Sequence, residues 1–198
     1  RRFVYASSAA VYGDNTRLPL AEDEILNPLS PYAADKLAGE FYLRFYHAKY
    51  GIETTAFRFF NIFGPRQDPS SPYSGVISIF IERVSRGDPV TVFGDGRQTR
   101  DFVYVGDLVK LLAQSLSGAQ AAGQVINVGR GKQCSLLELL DALEKLTGKP
   151  VERRFAAARL GDIVHSCADI TRLVRLLGKA PETDIVAGLG EILRYRNN

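Results

Sequence analysis

Residues Ser30–Phe59 read SPYAADKLAGEFYLRFYHAKYGIETTAFRF. Ser30 is a good helix N-cap, and Pro31 suits the first turn behind it. The helical spacing runs to about Tyr50 and stops at Gly51. Thr54–Phe59 is β-branched and aromatic, which predicts a strand between Gly51 and the Gly64-Pro65 turn. Upstream, Phe3–Ala6 has the same strand character. Strand, crossover helix and strand make one right-handed βαβ unit with parallel strands.

The alternation continues, which sets the fold class as α/β. Val76–Ser85 is helical and closed by Gly87 and Pro89. Val90–Phe93 is a short strand before Gly94-Asp95-Gly96. Asp107 is expected to cap a helix through about Ser117, and Gln124–Val128 is a strand. Ser135 and Glu138 form a capping box opening a helix to Thr147. Val151–Phe155 is a strand. Asp169 is expected to cap a helix ending at Gly178, and Ile185–Tyr195 is the last helix. The first sixty residues look like half of a doubly wound sheet. The division expected is 1–65 for that half and 66–198 mainly for a smaller mixed α/β lobe, with segments at about 95–130 returning to the sheet.

The chain has 198 residues and no methionine, and it opens Arg1-Arg2-Phe3-Val4-Tyr5-Ala6, the inside of a strand. It is therefore expected to be a piece of a longer protein. Hydrophobic content of 45% and charged content of 24% fit a soluble globular protein. The net charge of +3, from 25 basic and 22 acidic residues, is too mild for a nucleic-acid protein. It suits attraction to a phosphorylated metabolite. No apolar run is long enough to span a membrane. Cys134 and Cys167 make neither a disulfide framework nor a zinc site. They are expected to be packed thiols of a cytoplasmic protein, and no metal is expected.

A doubly wound sheet that holds a dinucleotide carries Gly-x-Gly-x-x-Gly after its first strand. Gly129-Arg130-Gly131 comes nearest, but Lys132, Gln133 and Cys134 follow, so it reads as a turn. Gly94-Asp95-Gly96 fails likewise. The phosphate-cradling loop is not in this sequence.

Tyr32 and Lys36 are four apart, hence on one helix face. An ammonium beside a phenol favours the phenolate, and a phenolate can take a proton from a sugar hydroxyl and return it. The plainer reading is a surface pair. Ser7-Ser8-Ala9-Ala10-Val11-Tyr12-Gly13 directly follows the first strand, where ligands of open α/β sheets sit. Ser8 is thereby placed to hydrogen-bond a reacting hydroxyl. The plainer reading of the two serines is a turn or cap.

Together these residues resemble the extended short-chain dehydrogenase/reductase family, in particular nucleotide-sugar epimerases of the UDP-hexose 4-epimerase type. The likeness covers nearly the whole chain. It also includes Arg58-Phe59-Phe60-Asn61-Ile62-Phe63-Gly64-Pro65-Arg66, Phe93-Gly94-Asp95-Gly96-Arg97-Gln98-Thr99-Arg100-Asp101-Phe102 and Arg159-Leu160-Gly161-Asp162. The family's N-terminal cofactor half is missing. The resemblance implies the C-terminal half of a Rossmann-like doubly wound parallel sheet, NAD as resident cofactor, a UDP-sugar substrate and a homodimer. It implies Tyr32 as catalytic base and acid, and Lys36 as its tuning partner and a ligand of the nicotinamide ribose. Ser8 would relay the proton, with Ser7 beside it on the cofactor side, and Phe60 would contact the nicotinamide. Asn61, Arg100 and Arg159 would hold the diphosphate, and Asp162 the ribose. Thr91, Val92 and Phe93 would line the uracil slot, bordered by Gly75 and Val76.

The resemblance also bears on the reaction. Sugar-nucleotide dehydratases of the family carry an acidic pair in the Ser-Ser stretch, and Ala9 and Ala10 stand there instead. Ser166, four residues after Asp162, borders the sugar's C2 substituent, and a small residue there goes with N-acetylated hexoses. The expectation is inversion of C4 in a UDP-hexose or UDP-N-acetylhexosamine. The alternatives are an inactive sugar-nucleotide-binding lobe, a non-enzymatic regulator, or a related NAD-dependent dehydratase.

Overall fold

The computed structural model describes residues 1–71, 75–159 and 161–197. In chain order its strands are β1 (Arg2–Ser8), β2 (Glu53–Phe59), β3 (Asn61–Phe63), β4 (Val90–Phe93), β5 (Thr99–Arg100), β6 (Phe102–Tyr104), β7 (Gln124–Val128), β8 (Cys134–Ser135) and β9 (Arg153–Ala156). Its helices are α1 (Pro31–Tyr50), α2 (Val76–Arg86), α3 (Val105–Ser117), α4 (Leu136–Thr147), α5 (Thr171–Leu177) and α6 (Ile185–Asn197). A short 3-10 turn, Ala9–Tyr12, follows β1.

The first sheet is parallel in the order β1-β2-β7. Its register sets Ser8 opposite Phe59 and Phe59 opposite Val128, so the three strands end level. Side chains alternate between faces. Phe57 packs into a cluster with Leu108 and Leu111 of α3 and Leu173 and Leu177 of α5. Its neighbour Arg58 points the other way, to Glu40 of α1. Helices therefore cover both faces, as a parallel sheet requires. Both α3 and α5 pack on this sheet, so residues beyond 130 also return to it.

The helix α1 starts and stops where its end residues dictate. Ser30 Oγ accepts from the Ala33 N–H at 3.2 Å, and Gly51 closes the helix in the left-handed region at φ 65°. Midway, Gly39 lets β1 come close: a Cβ there would lie 2.3 Å from the Tyr5 hydroxyl. That approach brings the face carrying Lys36 and Glu40 against β1.

The second core is built by α2, α4 and α6 around β4, with Ile77, Phe80, Leu139, Leu143 and Leu189 buried. There β4 pairs in parallel with β9, while β3 pairs with β6 and β5 with β8. The β5 and β8 pair is antiparallel and crosses from Thr99–Arg100 to Cys134–Ser135.

Three expected boundaries shift. Val151 is not in a strand: its N–H donates to Glu144 Oε1 and its side chain joins the second core, so pairing begins at Val90 with Arg153. Asp107 sits inside the first turn of α3, which begins after Tyr104. Its carboxylate instead accepts from the Glu182 and Thr183 N–H groups, tying α3 to the approach to α6. Asp169 is one residue outside the N-cap of α5, Ile170, and accepts from the Thr171 N–H at 2.7 Å. The short strands β3, β5, β6 and β8 were not foreseen, because two or three residues carry no period.

Cys167 is buried and Cys134 partly so. Burial pushes both thiols up to about 11, so they stay protonated at neutral pH. Among the described residues no helix is long and apolar enough to cross a membrane. The capping box at α4 forms as expected, with Ser135 accepting from the Glu138 N–H and Glu138 accepting from the Ser135 N–H. Ser135→Ala removes one half of it and should cost about 1 kcal/mol. The check is urea unfolding, with a lower midpoint at unchanged slope.

Candidate active site

The level C-terminal ends of β1, β2 and β7 are the place where an open parallel sheet presents its ligand groups. Ser8 ends β1, and its Oγ accepts from the Ala10 N–H at 3.2 Å. It does cap the 3-10 turn, yet its own proton remains to donate. Lys36 Nζ donates to the Ala6 carbonyl at 2.8 Å. The same ammonium lies 5.6 Å from the centre of the Tyr32 ring and 5.2 Å from that of Tyr5. Tyr32 is half exposed beside it. The pair is thus tied to the strand that carries Ser8. Ser7 faces the opposite side: it is 2% exposed and its hydroxyl donates to Glu40 at 2.5 Å. Only its backbone is left for a cofactor.

Two cavities meet here. The larger, about 430 Å³, is lined by apolar side chains such as Val76, Phe80, Phe93 and Leu136 together with Thr91. Polar and charged side chains, among them Asn61, Arg83, Arg100, Arg159 and Asp162, line it as well. The smaller, about 180 Å³, is lined by Ser8, Ala9, Ala10, Phe60 and Ser166 among others. Asn61 and Arg100 border both. One wall is thus shared, and it carries an amide and a guanidinium.

Arg100 is partly buried, and its Nη2 pairs with Asp162 at 2.8 Å while Nη1 donates to the Thr99 carbonyl. Burial lowers its pKa, and Asp162 opposes that shift. The Asp162 carboxylate is therefore engaged with Arg100 in this state. The Arg159 guanidinium stacks on Phe93, 3.9 Å from the ring centre. Val92 does not line the slot expected of it: it is fully buried in the second core, and the strand alternation leaves Thr91 and Phe93 on the cavity side. Gly75 is the N-cap of α2, next to Val76. Leu160, within the Arg159–Asp162 motif, lies outside the described residues.

Sequence reasoning missed the supports of the site. Asp101 is fully buried; Oδ1 accepts from the Arg130 N–H at 2.8 Å, and Oδ2 accepts from Gly131 and Ala168. Burial raises its pKa and these donors pull it back. The Arg130 and Gly131 amides of this turn are therefore spent on an internal carboxylate rather than left for a phosphate. Asp101 also follows Arg100 directly, and its carbonyl accepts from the Asn61 N–H. One residue thus fixes both groups of the shared wall. No cluster of three or more metal-ligating side chains occurs among the described residues.

Ser8 at the carboxyl end of β1, Tyr32 and Lys36 on the helix beside it, and two cavities that share Asn61 and Arg100 thus lie at one end of a parallel sheet flanked by helices. Residues 1–129 match the NAD dependent epimerase/dehydratase family, and the chain belongs to it. A UDP-glucose 4-epimerase of Mycolicibacterium smegmatis is 39% identical over 199 residues, covering 100% of this chain and 63% of that protein. The solved UDP-N-acetylglucosamine 4-epimerase of Methanobrevibacter ruminantium, in complex with UDP-N-acetylmuramic acid, is 38% identical with a TM-score of 0.94. It is covered over 63% of its chain by 99% of this one. A UDP-glucuronic acid 4-epimerase of Bacillus cereus, in complex with UDP-glucuronic acid and NAD, is 33% identical with a TM-score of 0.89. This chain covers 61% of it, with 99% of its own residues matched. The chain thus spans less than two thirds of these relatives.

Asp101→Ala should cost about 3 kcal/mol, because one buried and two partly buried N–H groups lose their acceptor. A thermal melt of the variant checks this.

Proposed function

We propose that the protein containing this chain is an NAD-dependent epimerase that inverts C4 of a UDP-hexose or UDP-N-acetylhexosamine through a 4-keto intermediate. The observation that carries the reading is the shared wall of the two cavities. A diphosphate held by Asn61 and Arg100 has its nucleoside in the larger cavity and its sugar in the smaller one, against Ser8 and Ser166. Arginine suits that wall because its fork pairs two phosphate oxygens. Arg159 covers the same end, with Asp162 toward the ribose.

The residues present fit the nicotinamide end of the cofactor. Phe60 lines the smaller cavity with Ser8, and Lys36 and Tyr32 stand on α1 beside the same strand end. When bound, NAD supplies a hydride acceptor and, on return, a hydride donor. Tyr32 takes the C4 hydroxyl proton and returns it to the same oxygen once the 4-keto sugar has turned its other face to the cofactor side. Ser8 donates to the same oxygen. Lys36 holds Tyr32 and, through Ala6, the strand. Ala9 and Ala10 line the sugar cavity where an elimination would need an acid, so dehydration is disfavoured. In this reading residues 1–65 and the segments that return to the sheet form the cofactor side, and the second core forms the substrate lobe.

Association of two copies through α1 belongs to the same reading. Phe41, Tyr42, Phe45, Tyr46 and Tyr50 are all about half exposed or more along that helix. Such an apolar stripe marks an interface.

Two measurements test these readings in the native gene product. Ser166→Tyr should abolish turnover of the N-acetylated UDP-sugar and spare the plain hexose; equal loss on both would sink the substrate assignment. Phe45→Glu should convert a dimer to monomer in sedimentation velocity. An unchanged sedimentation coefficient would remove α1 from the interface.

A further inference from the structure

The Ser7 hydroxyl and the Arg58 guanidinium, which the proposed chemistry does not use, converge on one carboxylate. Glu40 lies on α1 one turn after Lys36, which lies one turn after Tyr32, so all three share a stripe. Glu40 is 3% exposed and takes three donors. Ser7 Oγ donates to Oε1 at 2.5 Å, Arg58 Nε to Oε1 at 3.0 Å and Arg58 Nη2 to Oε2 at 2.7 Å. Arg58, also 3% exposed, donates through Nη1 to the Tyr12 hydroxyl at 2.9 Å and to the Glu22 carbonyl at 3.0 Å. Tyr12 in turn donates to Asn127 Oδ1 of β7 at 2.7 Å. Burial alone would depress the Arg58 guanidinium, but Glu40 and Tyr12 carry it above its ordinary value.

Each anchor is next to a site residue. Ser7 precedes Ser8. Arg58 precedes Phe60 and Asn61 by two and three residues. Glu40 sits on the helix of Tyr32 and Lys36. These bonds leave the sheet toward α1, whereas the sheet pairing ties the strands only to each other and does not fix where α1 sits along their face, so a slide of α1 is left to the contacts between the layers. An apolar contact would tolerate such a slide, whereas a bidentate pair with a third hydrogen bond does not.

We propose that Glu40 and Arg58 are positioning residues for the reaction: their buried junction fixes α1 against β1 and β2, and so sets Tyr32 and Lys36 against Ser8. The inference rests on the epimerase reading. A small misplacement of reacting groups costs about 100-fold in rate. Nucleoside binding is expected to hold, because the apolar lining of the larger cavity, Phe80, Val90 and Leu136, belongs to the other core.

The test separates position from stability. Breaking one half of a buried pair strands a charge, while replacing both halves by apolar residues restores stability. In the native gene product Glu40→Met should lower the melting temperature by about 10 °C. Glu40→Met with Arg58→Met should recover the melting temperature but leave kcat about 100-fold down, with KM and UDP affinity by calorimetry unchanged. Recovery of kcat together with the melting temperature overturns the proposal. Glu40→Asp, which keeps the charge and shortens the reach, guards against variants that fail to fold: it should melt near the parent and still lose kcat, and a parental kcat overturns the proposal. A second readout does not use turnover. Lys36 should be acetylated faster by an N-hydroxysuccinimide ester in the double variant, seen by mass spectrometry, because its bond to Ala6 loosens. If the parent turns over no UDP-sugar, the epimerase reading fails. The Lys36 rate then decides the positioning alone, and equal rates overturn it.

Discussion

The constraint on which the rest depends is a helix held to a parallel sheet by a buried ion pair. Glu40 and Arg58 are each 3% exposed, and the pair bridges α1 to β2 at 2.7 Å. Such a pair adds little to stability, since desolvation offsets most of the attraction. What it supplies is position, because its bonds are directional where packing is not. The pleat of β2 makes this possible. Phe57 enters the apolar cluster under α3 and α5, so Arg58, one residue on, must face α1. Gly39 then removes the side chain that would hold α1 away from Tyr5.

A second buried carboxylate organises the shared wall of the two cavities in the same way. Asp101 collects three backbone N–H groups from two distant segments, and its own backbone holds Asn61. The wall that divides the two cavities is thus built on a fully buried residue. The functional groups themselves are far more open. Tyr32 is half exposed, Arg100 is partly buried and Arg159 stacks on Phe93.

The sequence was most legible where a local rule acts alone. The caps at Ser30, Gly51 and Ser135 formed as their residue types required. The four short strands were invisible, since each exists only through a partner far along the chain; Thr99–Arg100 pairs with Cys134–Ser135. Asp107 looks like a cap by residue type, but tertiary partners redirected it, whereas Asp169 keeps a local bond to the Thr171 N–H from one residue outside the N-cap. The role of Asp101 is not legible in the sequence, because nothing in its neighbours announces three amides arriving from elsewhere. Val92 shows the reverse case. Alternation along β4 was readable, and it assigns Val92 to the core rather than the cavity.

By itself the sequence determined the α/β class, the first βαβ unit and the helix ends, because those follow from periods and caps that act within a few residues. It also determined which side chains are available for chemistry, since Tyr32, Lys36 and Ser8 stand at interpretable spacings. Only the tertiary structure decided which of them meet. Ser7 turned to Glu40 while Ser8 reached a cavity, and Asn61 and Arg100 came to share one wall. The reason is physical: a buried charge must find its partner wherever the fold brings one, and sequence spacing does not encode that distance.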